Sequence, residues 1–171
     1  RSNQLIVSAA LLEDKAVIVT DNSLQLWDIK PGPTFSNENF NIGEGVNYGG
    51  QRKAFIDPIK KRLYVADWFS GMHIYSIAQP TAPVLLSSYA TPGSSKGVVV
   101  KDDIAYIADD DHGLRVVDVS QPEDPQIIAE LITSGLAYTP VIEGQRLYMA
   151  SHRGGFQIID ISSIHEPKIL S

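Results

Sequence analysis

The sequence predicts an all-β chain in which one four-stranded unit recurs, and three observations carry that expectation. Tyr64, Tyr106 and Tyr148 stand 42 residues apart, each inside a short apolar run: LYVAD, AYIAD and LYMAS. Twelve residues after each Tyr come Ser76, Asp118 and Asp160, within HIYSI, RVVDV and QIIDI. No stretch sustains the apolar period of an amphipathic helix, and the prolines fall in turn positions. A looser fourth copy opens the chain with AVIVT and QLWDI, and 47 residues separate Val17 from Tyr64. A strand-built period of about 40 to 45 residues is that of a β-propeller blade, four antiparallel strands per unit.

Taken in order, the blades are expected at about 5–40, 53–89, 97–131 and 137–171, in one propeller domain or segment over 1–171. QLIVSAALL and AVIVT supply the first inner strands. A loop-rich insert, 30–52, accounts for the wider first spacing; it is polar and rich in Gly and Asn. The cleanest copy, Val98 to Pro125, resolves into strands at Gly97–Val100, Ile104–Ala108 and Leu114–Val119, followed by Gln126–Leu131. Its third strand alternates Leu114/Val116 with Arg115/Val117/Val119, apolar on both faces, as a sheet between two neighbours requires. One column is polar in every copy (Gln25, His73, Arg115, Gln157) and is expected at a blade edge reached by water. QPTAP and QPEDP are matched turns before the fourth strands, where proline ends the ladder. The recurring Asp28, Asp118 and Asp160 are expected to accept hydrogen bonds from turn N–H groups rather than to act as acids. Lys60-Lys61-Arg62 is expected to be a solvated turn tip.

GLRVVDVSQPEDPQIIAEL from Gly113 and GFQIIDISSIHEPKIL from Gly155 resemble the LVIVD repeat, with its Gly, hydrophobic run, Asp and Pro-containing turn. The resemblance covers most of the chain, strongly from about Ala54 onward. It departs at Ser76, where the Asp is missing, and at Ile164–Glu166, where Asp-Pro becomes IHEP. It implies a β-propeller found mostly in bacterial and archaeal proteins, often exported or at the cell surface, with larger rings of about six to eight blades. The family has no common catalytic set, so the resemblance supplies no site residues.

Composition narrows the function. The 171 residues are 43% hydrophobic and 20% charged, enough for a series of stacked cores. The net charge of −6 with scattered basic residues is the wrong electrostatics for a nucleic-acid groove. No run approaches a membrane span. With no cysteine, disulfides, thiolate metal sites and cysteine nucleophiles are excluded, in either an exported or a cytosolic setting. The chain opens on Arg1, so either a leader has been removed or the chain is part of something longer.

Candidate binding residues sit in the loops joining second to third strands, which differ from copy to copy while the strands match. Trp68 and Phe69 either offer two aromatics to a protein or sugar or pack between blades. Asp110, Asp111 and His112 form a second candidate. Asp109 and Asp111 are candidate oxygen ligands for Ca²⁺, although the loop lacks the D-x-D-x-D-G spacing and turns favour Asp anyway. His152 and Arg153 either bind an anion or carboxylate or form a solvated turn. No nucleophile elbow, phosphate loop or H-E-x-x-H pattern is present, and no catalytic residue is assigned.

The expected function is a non-enzymatic binding scaffold, exported or at the surface, with a protein or glycan partner and no cofactor. The alternative is a metal-assisted hydrolase or lyase at the channel mouth, which rests on fold analogy. An open four-blade arc would expose apolar flanks. The chain is therefore expected to be a segment of a larger propeller, or an arc completed by association, a homodimer in the simplest case.

Overall fold

The computed structural model describes residues 6–12, 15–20, 24–28, 37–40, 53–79 and 82–171. Among the described residues, sixteen strands form four separate antiparallel sheets. The first holds β1 (Ile6–Leu12), β2 (Lys15–Thr20), β3 (Leu24–Asp28) and β4 (Asn37–Phe40). The second holds β5 (Lys53–Asp57), β6 (Arg62–Ala66), β7 (Met72–Ser76) and β8 (Val84–Tyr89). The third holds β9 (Gly97–Lys101), β10 (Ile104–Ala108), β11 (Leu114–Asp118) and β12 (Gln126–Leu131). The fourth holds β13 (Leu136–Glu143), β14 (Arg146–His152), β15 (Gly155–Asp160) and β16 (Lys168–Ile169). In every sheet the strands pair in chain order, and β1, β5, β9 and β13 lie side by side as the inner strands. This is the β-propeller arrangement that the 42-residue period predicts. The expected insert 30–52 lies mostly outside the described residues; β4 falls within it.

The period is visible in individual hydrogen bonds. Ile77, Val119 and Ile161 each donate a backbone N–H to the carbonyl of Lys61, Asp103 and Gln145, at 2.8, 2.8 and 2.9 Å. Asp67 and Asp109 donate to Gly71 and Gly113, both at 2.8 Å, closing the second-to-third strand turns. Gly71 and Gly113 have φ of 77° and 75°, a region that side-chain-bearing residues avoid. An added Cβ there would lie 2.1 and 2.2 Å from the carbonyl oxygens of Tyr89 and Leu131. The same register shift also recurs, at Ile74/Tyr75 and at Val116/Val117. It bends the outer strand and adds twist, which a radially packed sheet needs.

The core lies between sheets. Tyr64, Ala66, Met72 and Ile74 of the second sheet meet Val98, Val100, Ile107, Val117 and Val119 of the third. The other face of the third sheet, Tyr106, Leu114 and Val116, meets Leu147, Met149, Ile159 and Ile161 of the fourth. The third sheet is thus apolar on both faces because both are covered. A fully buried Leu114 or Ile159 contributes about 1.5–3 kcal/mol by this burial. Burial also pushes the Tyr64 and Tyr106 phenols above their ordinary pKa.

Among the described residues, the fourth sheet packs against another sheet on one face only. Val141, Tyr148, Phe156 and Ile158 correspond, 42 residues on, to Val99, Tyr106, Leu114 and Val116. Leu114 is fully buried, whereas Phe156 is 61% exposed and Val141 56% exposed. The Phe156 and Tyr148 rings stack on each other, centroids 5.9 Å apart. Among the described residues, no contact like that between β9 and β13 joins β13 back to β1.

In the second, third and fourth sheets the polar column of the third strands is not at a watery edge: Arg115 and Gln157 are each 3% exposed, and His73 is only partly exposed, while the Gln25 side chain lies outside the described residues. Alternation identifies which face a residue occupies but not what covers it. Lys60-Lys61-Arg62 is not simply a solvated tip, because Lys60 pairs with Asp103 and Arg62 donates to the Val119 carbonyl at 3.1 Å. These contacts tie the second sheet to the third. Asp118 and Asp160 do accept turn N–H bonds, from Ser120 at 2.8 Å and Ser162 at 2.9 Å. Those bonds, from backbone and hydroxyl alike, hold both carboxyls below the usual carboxylate range. Ser76 takes the same place more weakly, accepting from Ala78 at 3.4 Å.

Candidate functional site

The second-to-third strand loops and the segments leading into the inner strands share one face. Backbone pairing locks them together. Trp68 exchanges hydrogen bonds with Ser95 (3.0 Å each way), and Ala137 donates to Asp110 at 2.8 Å. The loops of the second and third sheets are therefore each bridged to the entry of the next sheet. Trp68 and Asp110 hold φ of 43° and 53° to make these bridges, uncommon values for bulky or branched residues.

Beneath the loops, polar residues six apart pair across the hairpins of the second and third sheets. The Asp67 carboxylate lies 3.5 Å from His73 Nε2, and His73 Nδ1 lies 2.8 Å from Ser88 Oγ. In the next blade, Asp109 Oδ2 accepts from Arg115 Nε at 3.3 Å and from the Gly93 N–H at 3.0 Å. Both side chains are almost completely buried, and a second guanidinium nitrogen reaches Glu130. Gly93 is required by this approach: a Cβ there would sit 2.4 Å from the Asp109 carbonyl oxygen. In the last blade Gln157 donates to the Ser134 hydroxyl at 2.5 Å.

The sequence-predicted loop residues separate into two groups. Phe69 is 66% exposed at the tip, edge-on to Trp68 at 5.9 Å. Asp111 is exposed beside His112, whose Nδ1 is 2.8 Å away. His152 and Arg153 are exposed; His152 ends β14 with its ring 6.4 Å from Tyr138, and Arg153 occupies the turn with φ 63°. Trp68 and Asp110 turn inward instead, toward Lys96. The Lys96 Nζ lies 3.2 Å from the Trp68 ring centroid, 3.4 Å from Asp110 Oδ2 and 5.8 Å from the Tyr138 ring.

The three consecutive aspartates thus serve three different partners: Arg115, Lys96 and His112. Among the described residues, no three carboxylate or imidazole groups gather as a metal cage would require. A cavity of about 120 Å³ opens beside Lys96, lined also by Lys53, Trp68, Tyr138 and Thr139. Apart from Trp68, none of these was singled out from the sequence. Lys96 sits in a Gly/Ser turn and Tyr138 inside a strand, so neither differs locally from scaffold. The available signal was the opposite charge at Asp109 and Arg115, six apart across a hairpin.

Among solved structures, the fold resembles the crystal structure of the computationally designed Ika4 protein, with TM-score 0.68 and 11% identity over 95% of this chain and 94% of that one. It also resembles Raptor from Chaetomium thermophilum, with TM-score 0.78 and 13% identity over all of this chain but 17% of that one. BamB from Moraxella catarrhalis matches with TM-score 0.60 and 13% identity over 88% of this chain and 41% of that one. At these identities the likeness shows the fold alone, and the chain spans well under half of the Raptor and BamB chains. No curated protein matches the sequence. The LVIVD repeat model matches residues 61–91, 92–133 and 135–169, more than half of the chain, and the chain belongs to the LVIVD repeat family.

Proposed function

We propose that the protein is a non-enzymatic binding scaffold, exported or at the cell surface, that recognises a protein or glycan through its loop face. One observation carries this reading. Phe69, Asp111 and Arg153 occupy one position in three successive blades and are all exposed, yet they are aromatic, acidic and basic. A repeated frame needs no such variation, whereas a specific surface does. The hydrolase or lyase alternative would draw on Asp109–His112, but Asp109 is committed to Arg115 and to the Gly93 N–H.

The test is to select ligands for the purified protein from peptide-display and glycan-array libraries, then to measure their affinity for Phe69→Ala, Asp111→Ala and Arg153→Ala. At least one variant should weaken a selected ligand by about tenfold, as expected for a residue central to an interface. Equal binding by all three variants would refute the reading. So would turnover of ester or polysaccharide substrates that is abolished by His112→Ala.

A further inference from the structure

We propose that a cavity between the third and fourth sheets is a second binding site, taking the guanidinium group of an arginine-type ligand. It lies at the turns that join β9 to β10 and β13 to β14, on the face opposite the second-to-third strand loops, and is independent of the loop-face reading. Two successive sheet interfaces differ here at one slot. Between the second and third sheets a guanidinium is built in. Arg62 Nη1 donates to the Val119 carbonyl at 3.1 Å and lies 3.7 Å from Asp103, and Lys60 pairs with the same carboxylate. The Tyr64 hydroxyl at this interface is sealed from water. Forty-two residues on, Arg62, Val119, Asp103, Lys60 and Tyr64 become Ile104, Ile161, Gln145, Asp102 and Tyr106. The arginine's place is taken by the shorter Ile104, and a cavity of about 180 Å³, lined by all of these counterparts, opens there.

What remains is a set of acceptors. The Ile161 carbonyl is the counterpart of the one that Arg62 occupies, and Ile104 has no donor to offer it. Asp102, in place of Lys60, brings a carboxylate to the wall that held the cations. The Gln145 amide and the Tyr106 hydroxyl add neutral acceptors. Burial raises the phenols of both Tyr64 and Tyr106, but Arg62 offsets part of the rise at Tyr64, whereas Asp102 adds to it at Tyr106. Lys101 also lines the cavity, its ammonium donating to the Gly144 carbonyl. A guanidinium suits the slot better than an ammonium. Its planar fork engages a carboxylate and a carbonyl together, as Arg62 faces Asp103 and Val119, and it sheds water more readily than a compact ammonium. At ~30 Å³ per water in the liquid, the cavity matches about six waters, room for a guanidinium and the methylene beside it.

The test is to titrate N-acetyl-argininamide, free L-arginine and N-acetyl-lysinamide into ¹⁵N-labelled protein, with sodium chloride at matched ionic strength as reference. The expected result is saturable shifts of the backbone amides of Asp102, Ile104, Gln145 and Ile161 with the arginine compounds. Binding should be tighter than about 10 mM, and about fivefold tighter than for the lysine compound. Asp102→Asn should weaken it about tenfold, and Asn accepts the φ of 49° held there. Glu123→Gln removes the same charge from an exposed turn on the side of the third sheet that meets the second, and should change nothing. Lys101→Met removes a like charge and should tighten binding. Ile104→Arg rebuilds the internal guanidinium and should abolish binding; should that variant fail to fold, Asp102→Asn decides. The proposal is overturned if the arginine compounds do not saturate below about 10 mM, or if the lysine compound binds as tightly. It is equally overturned if Asp102→Asn and Glu123→Gln act alike, if Lys101→Met weakens binding as Asp102→Asn does, or if a folded Ile104→Arg still binds. Tighter binding of the capped arginine assigns a peptide or protein source for the guanidinium; tighter binding of free arginine assigns the amino acid.

Discussion

The Asp109–Arg115 pair offers the sharpest test of how the loop face is held. Asp109 is fully buried, and the Arg115 side chain is 4% exposed. Replacing Asp109 with Ala leaves the guanidinium with Glu130 alone, itself 52% exposed, and strips the Gly93 N–H of its acceptor. Breaking a buried ion pair from one side costs about 3–5 kcal/mol. Glu130 still neutralises part of the stranded charge, so about 3 kcal/mol is expected. For a chain of this size each kcal/mol moves Tm by roughly 2–4 °C, giving a drop of about 6–12 °C. Arg115→Met strands the carboxylate instead and should fall in the same range. The double variant removes both charges and should be clearly more stable than the sum of the single losses implies, with a coupling of about 1–3 kcal/mol. Urea unfolding followed by circular dichroism at pH 7 measures all three variants. An Asp109→Ala loss below about 1 kcal/mol, or strict additivity, would refute the reasoning by showing that water reaches the pair.

The turn aspartates make a prediction about pH. The folded protein holds Asp118 and Asp160 below the ordinary 3.8, so their stabilisation is fully present above that value and is lost as pH falls through the folded pKa. Asp118→Asn should therefore be less stable than the parent at pH 7, with the difference closing in acid below 3.8; a gap independent of pH would contradict this. On the uncovered flank, Phe156→Glu together with Val141→Lys should abolish concentration-dependent association in light scattering. A parent that stays monomeric at every concentration would show that this flank needs no partner copy.

The architecture was legible because each blade solves one packing problem with the same strands. The spacing of Tyr64, Tyr106 and Tyr148 therefore reports the sheets directly, and Leu114/Val116 against Val117/Val119 reports coverage of both faces. The site was less legible for a related reason. The third-strand column His73, Arg115 and Gln157 reads as polar, but only the fold shows that Asp109 and Ser134 meet it under a lid of loops. Charged residues usually mark solvent, and that rule misplaced Arg115. The divergence of Phe69, Asp111 and Arg153 was visible in one sequence because aligned loops can be compared position by position. Lys96 was not, because its significance depends on Trp68 in the preceding blade and Tyr138 in the following one.

That dependence bears on what a repeat of this kind can carry. The cavity takes Lys53 and Trp68 from the second sheet, Lys96 from the entry to the third, and Tyr138 and Thr139 from the fourth. No single blade contains it, and a mismatch of one residue in any inner strand would turn its cavity-lining side chains to the other face. The backbone bridges Trp68–Ser95 and Asp110–Ala137 fix that register, and they exist because two non-glycine residues accept a left-handed backbone. Strain of this kind persists only where surrounding contacts enforce it. Here the Lys96 ammonium against the Trp68 ring and Asp110 helps to enforce it. The packing of these three sheets and the lining of the cavity are then the same set of contacts.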